Sequence, residues 1–146
     1  MKVVLQRVRE GRVTVNGRIV GEIRHGVVLL VGFAKGDDES CITPMVEKIL
    51  ALRIFPNEAG RFDKNIIQAD GEILFVSQFT LLADTNSGRR PDFIRALEAA
   101  PARVLCDTFV AALRASAVKR VETGEFGADM QVSLTNDGPV TLILES

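Results

Sequence analysis

Apolar residues recur along this chain in short, strand-length bursts, and the spacing turns helical twice. Residues 2–9 and 12–15 predict two strands, and Asn16-Gly17 is a strong hairpin signal that returns the chain as a third strand over 18–24. After a turn at His25-Gly26, residues 26–33 (GVVLLVGF) are apolar on both faces and predict a buried central strand. Thr43-Pro44 then looks like an N-cap followed by Pro at the first helical position. Ile42, Met45, Val46, Ile49 and Leu50 continue at helical spacing, which predicts a helix over about 40–52. Residues 56–60 form a turn, and 72–79 (EILFVSQF) predict another buried strand. Residues 84–92 are a polar loop. Pro101 opens a second helix, predicted over 101–118 from Val104, Leu105, Thr108, Phe109, Ala112 and Leu113. The tail predicts a closing hairpin, with strands at 129–135 and 139–145 around a turn at Asn136-Asp137-Gly138. No repeat or linker interrupts this pattern. The expected fold class is α/β: a single domain, residues 1–146, of mixed, largely antiparallel sheets in a barrel-like or three-layer arrangement with two principal helices.

Composition narrows the chemistry. The 17 Val, 10 Ile and 8 Thr among 146 residues favour sheet over bundle. The chain has one His, two Cys, no Tyr and no Trp, so only three residues of the Cys/His type exist to ligate zinc, and a structural zinc site is not expected. No cofactor is expected. A Ser-His-Asp or Cys-His site would have to use His25, which sits in a predicted turn, while Cys41 and Cys106 fall in predicted helices and read as packing. Neither a Rossmann nor a P-loop glycine pattern occurs. Charge meets the chain too early for a signal peptide, and no apolar run reaches the roughly 20 residues that span a bilayer. The expectation is a reduced, cytoplasmic protein with no membrane partner. A net charge of −1 argues against a broad nucleic-acid surface and confines any such contact to a local patch, with Arg89 and Arg90 of the polar loop as candidates.

Two clusters stand out. Ser77-Gln78-Phe79-Thr80 places three hydrogen-bonding side chains at the end of a hydrophobic strand. They either cap the strand end or form a shelf that orients a ligand. Asn136-Asp137-Gly138-Pro139-Val140-Thr141 combines a permissive Gly with a Pro that fixes its own φ and lacks an N–H. It reads either as a plain turn before an edge strand or as a rigid corner presenting carbonyls to a ligand.

Together these clusters carry a resemblance. Ser77-Gln78-Phe79-Thr80-Leu81 resembles the S-Q-x-T-L motif of the D-aminoacyl-tRNA deacylases, also called D-Tyr-tRNA deacylases. Gly138-Pro139-Val140-Thr141 resembles their G-P-V-T motif, whose Gly-Pro bond is cis. Gln6-Arg7-Val8, Arg53-Ile54-Phe55, Gly88-x-Arg90-Pro91 and Ala128-Asp129-Met130-Gln131-Val132 fall in family order, so the likeness covers essentially the whole chain. Asp92 departs from the Ser common after the loop Arg-Pro, and Pro44 is atypical within the first helix. Ser77 separates the chain from a related animal group whose motif begins with Pro.

The resemblance implies hydrolysis of the ester joining a D-amino acid to the 3′ end of tRNA, and removal of glycine mischarged on alanine tRNA. It implies catalytic roles for Ser77, Gln78, Phe79 and Thr80. It implies substrate binding and rejection of L-amino acids by Gly138, Pro139, Arg7 and Met130, and RNA contact by Arg89 and Arg90. The implied partners are aminoacyl-tRNA, through its terminal adenosine, and a second copy of the chain, with the Gly-Pro corner inserted into the other subunit's site. The poverty of bases favours water attack assisted by the tRNA 2′-OH over a Thr80 nucleophile. The rival from another class is a non-catalytic RNA- or protein-binding module on the same fold.

Overall fold

The computed structural model describes residues 1–86 and 88–146. Its chain order is β1 (Lys2–Val15), β2 (Arg18–Ile23), β3 (Gly26–Gly32), α1 (Ile42–Ala51), β4 (Phe55–Pro56), β5 (Phe62–Lys64), β6 (Glu72–Ser77), α2 (Ala99–Arg114), β7 (Arg120–Thr123) and β8 (Gln131–Glu145). The main sheet runs β2-β1-β3-β6-β7, with β8 along the other edge of β1. β4 and β5 form a separate small pair. β1 pairs antiparallel with β2, β3 and β8, whereas β3-β6 and β6-β7 are parallel.

The apolar run of β3 is explained by burial on both faces. Val27, Leu29 and Val31 point to the helices with Ile73 and Phe75 of β6, where Phe75 meets Phe109 of α2 at 5.4 Å between ring centroids. Val28, with Leu74 and Val76 of β6 and Val8, Val13 and Ile23, fills the inside of the curled sheet. The curl brings β2 against β7 without a strand ladder between them. A Cβ on Gly21 would collide with the Thr123 carbonyl, so glycine permits this near-closure into a barrel. β3 and β6 approach as tightly at Gly26, where an added Cβ would overlap the Glu72 main chain.

Several sequence expectations are corrected. The strands expected at 2–9 and 12–15 are one strand, β1, with an irregularity at Arg9. Beyond it, the edge that carries β3 along residues 2–8 takes up β2 along 11–15. The closing hairpin does not form either. Residues 131–145 are one strand running beside β1 throughout, and 137–140 bulge out opposite Arg7, between the pairs Val8↔Asn136 and Gln6↔Thr141. A 14-residue template strand holds both halves of β8 in one ladder, so the Gly-Pro corner interrupts the strand rather than reversing it. The strand expected over 72–79 stops at Ser77, and Phe79–Leu82 form a 3-10 turn.

The helices shift as well. The first is preceded by a 3-10 turn at Glu39–Cys41, capped by the Asp38 side chain on the Ser40 N–H, so Thr43 is not the N-cap. Pro44 lies in the first turn of α1, where a missing N–H leaves no helical bond unmade. α2 spans 99–114 instead of 101–118, with Pro101 again in a first turn, and the Ser116 hydroxyl donates to the Leu113 carbonyl beyond its end. The short strands β4, β5 and β7 carry too few residues to show a period.

Phe109 is fully buried between sheet and helix. Phe109→Ala is expected to lower unfolding stability by about 3–5 kcal/mol in urea titration. Gly26→Ala forces a side-chain carbon into the Glu72 backbone and is expected to lower the urea midpoint markedly or prevent accumulation of folded protein.

Candidate active site

β6 delivers the first cluster. Ser77 is the last strand residue, paired with Val31, and Gln78 turns out of the strand with its N–H donating to the Val31 carbonyl at 2.7 Å. Phe79 and Thr80 open the following 3-10 turn, whose first N–H groups have no acceptor within the turn. The Gln78 amide donates to the Thr80 hydroxyl. Phe79 is 56% exposed and sets its ring edge-on to Phe93 at 5.1 Å.

Ser77, Gln78 and Phe79 line a cleft of about 650 Å³ between the sheet end and the start of α2, with Phe93, Phe126 and Met130 among its apolar walls. Thr80 is exposed and does not line it. Lys35 and Glu98 are charged residues of the lining, and the sequence reading passed over both. Neither hydrogen-bonds to Thr80, whose hydroxyl meets only the Gln78 amide among the described residues. Phe93 and Phe126 were also missed. Phe126, an aromatic between Gly124 and Gly127, was the one available signal.

The thiols are not poised to attack. Both cysteines are free. Burial, helped by the neighbouring Asp107 carboxylate, pushes the Cys106 thiol at the cleft floor up to about 12, and burial also raises Cys41. His25 lies away from the cleft, edge-on to Phe55 at 5.2 Å. Among the described residues no three His, Cys, Asp or Glu side chains converge to hold a metal.

The second cluster is built on the β1–β8 ladder. The Gly138–Pro139 bond is cis, Gly138 has φ +145, and both residues are exposed. Arg7 lies beneath them and is 7% exposed. Its Nε donates to the Asp137 carbonyl at 2.9 Å, its Nη1 to the Ile54 carbonyl at 2.5 Å, and its guanidinium lies 5.5 Å from the centre of the Phe62 ring. The Asp137 carboxylate sits 3.5 Å from the Arg7 Nε and 3.1 Å from that of Arg9. Asn136 brackets the bulge: its Oδ1 accepts from the Val140 N–H at 2.7 Å, and its Nδ2 donates to the Val140 carbonyl at 3.2 Å. Asn136 and Asp137 read in sequence only as turn formers, yet they hold the corner in shape.

Within one chain, the second cluster lies outside this cleft. Gly138, Pro139 and Arg7 are absent from the cleft lining, while Met130 is part of it. Arg89 and Arg90 are exposed in a loop pinched by paired backbone bonds between Asp84 and Asp92, at 2.8 and 2.9 Å. Asn86 donates to Asp84 and holds that carboxyl below its usual range. Asp92 accepts the Ile94 N–H at 2.6 Å, so this departure from the expected Ser serves as a local turn cap.

The comparisons with known proteins agree along the full length. The family described as D-Tyr-tRNA(Tyr) deacylase matches residues 4–145. The chain is 51% identical to the D-aminoacyl-tRNA deacylase of Thermomicrobium roseum, covering 100% of this chain and 94% of that one. It is 46% identical to that of Clostridium tetani, covering 100% and 97%. Among solved structures, the c-Myc DNA Unwinding Element Binding Protein matches with TM-score 0.93 at 40% identity, over 100% of this chain and 99% of that one. A probable eukaryotic D-amino acid tRNA deacylase shares the fold, with TM-score 0.85 at 19% identity over 98% and 97%. The chain belongs to the D-Tyr-tRNA(Tyr) deacylase family of hydrolases.

Proposed function

We propose that this chain is a tRNA-editing hydrolase that cleaves D-aminoacyl esters, and glycine mischarged on alanine tRNA, from the tRNA 3′ end. The observation that carries the reading is the cleft at the end of β6, which offers hydrogen-bond donors to an ester, while its charged residues Lys35 and Glu98 make no hydrogen bond to Thr80 that would activate it as a nucleophile. The terminal adenosine and its aminoacyl group occupy this cleft. An aminoacyl ester is already activated, so positioning and oxyanion stabilisation suffice. Water adds to the carbonyl carbon, with the ribose 2′-OH relaying its proton. The N–H groups of Phe79 and Thr80 hold the oxyanion. Collapse expels the ribose 3′-oxygen, which takes up the proton and leaves free D-amino acid and tRNA. Gln78 holds the Thr80 hydroxyl and shapes the turn that presents these donors.

Chirality is set by the Gly138–Pro139 corner of a second copy. Its carbonyls hold the substrate ammonium and leave no room for an L side chain, so selection works by rejection. D side chains point outward, and glycine has nothing to clash. Two features support a dimer. The corner bulges from β8 and lies outside the cleft of its own chain. Among the described residues β8 (15 residues) pairs only with β1 and leaves its outer edge unpaired, with Val132 and Ile143 exposed at 37% and 70%. Arg7 anchors the corner, Met130 walls the cleft, and Arg89 with Arg90 meets the RNA. Two free thiols fit a reducing compartment, the cytoplasm.

Parallel incubation with D-Tyr-tRNA and L-Tyr-tRNA is expected to deplete only the D ester, and glycyl-tRNA(Ala) is expected to be cleaved as well. Binding without loss of the D ester would place the chain with non-catalytic binding modules. Thr80→Ala is expected to retain substantial turnover, whereas tRNA ending in 2′-deoxyadenosine is expected to react at least about 10²-fold more slowly. Abolished turnover in a folded, tRNA-binding Thr80→Ala protein would make Thr80 the nucleophile.

A further inference from the structure

A second groove, of about 750 Å³, runs along α2 beside the cleft and shares Ser77, Cys106 and Phe126 with it. Its outer wall is one face of α2, carrying Arg103, Asp107 and Arg114, and its far side is the end of β7 with Thr123 and Gly124. Arg103 stands at the junction of the two spaces. Its guanidinium lies 5.0 Å from the centre of the Phe126 ring, and its Nη2 donates to the Phe126 carbonyl at 3.3 Å. Arg114 lies about three helical turns further along, its Nη2 3.4 Å from the Val121 carbonyl. Among the described residues neither guanidinium is ion-paired, although Asp107 lies between them on the same face.

We propose that this groove takes the single-stranded nucleotides that precede the terminal adenosine, with Arg103 and Arg114 on their phosphates. The proposal rests on the reading that the cleft holds the terminal adenosine. A chain leaving that cleft past Phe126 meets Arg103 first, and the groove is the continuous path onward. Two unpaired guanidiniums against one carboxylate give the groove a positive balance that suits a phosphate backbone. A guanidinium held over an aromatic ring keeps its remaining N–H donors for phosphate oxygens, and the ring beside it offers a platform for a base. Asp107 is an acceptor for a ribose hydroxyl or a cytosine amino group. The chain thereby gains a local grip on RNA without a basic surface overall.

The test compares full D-Tyr-tRNA with the minimal ester D-tyrosyl-adenosine, across about 50 to 200 mM KCl. Arg103→Gln/Arg114→Gln is expected to lower kcat/KM on the tRNA about ten-fold, mainly through KM. It should also flatten the log–log salt dependence by about 1.4, which is about 0.7 for each phosphate contact on a single strand. Cleavage of D-tyrosyl-adenosine is expected to stay unchanged. Arg103→Lys keeps the charge and is expected to retain most of the salt dependence, while Arg18→Gln, outside the groove, is expected to change neither substrate. Equal losses on both esters, or unchanged tRNA kinetics and salt slope, would overturn the groove assignment. Wild-type protein that cleaves neither ester would instead overturn the functional reading beneath it.

Discussion

The structure depends on the hydrogen-bond ladders of β1. One edge of this strand carries β8 along nearly its whole length, and the other carries β3 and then β2. The irregularity at Arg9 marks the change of partner, and Gly11, against Val28, marks the crowded inside of the bend. Without a continuous β1, β8 would have no template and the sheet could not curl far enough to bring β2 onto β7. The same strand turns Arg7 inward under the corner. Scaffold and Gly-Pro corner therefore share a single ladder.

Arg7 shows how a buried charge is tolerated here. Its guanidinium is nearly sealed from water, but two carbonyls, the Asp137 carboxylate and the Phe62 ring surround it. A buried cation with such partners avoids most of the desolvation penalty an isolated one would meet. The arrangement links the corner at Asp137 to the residue before β4, two segments far apart in sequence. The conformation of the corner is thus set by tertiary contacts, and the Asn136 bracket keeps it narrow at the base.

The cleft illustrates the opposite strategy. Its walls are largely apolar, its thiol is held protonated by burial, and its polar lining is Ser77, Gln78, Lys35 and Glu98, none of the charged ones bonded to Thr80. A site of this kind suits a substrate that brings its own leaving group and its own hydroxyl. The scarcity of His, Tyr and Trp in the composition is consistent with that division of labour.

Much of this was legible in the residues. The two-sided apolar run of β3, the hairpin at Asn16-Gly17 and the helical spacing of α2 follow from local side-chain periodicity, which a linear reading captures. The two motifs were visible too, because their residue types are unusual at those places. The tertiary structure alone decided that residues 2–15 and 131–145 are single strands. Strand continuity through a Gly or a bulge depends on a partner's ladder, and no local signal reports that partner. Tertiary structure also decided that Arg7 is buried, that Phe93, Phe126 and Glu98 join the cleft, and that the Gly138–Pro139 corner lies outside its own chain's cleft. Those facts depend on contacts between segments distant in sequence, and the period of a single segment carries no information about them.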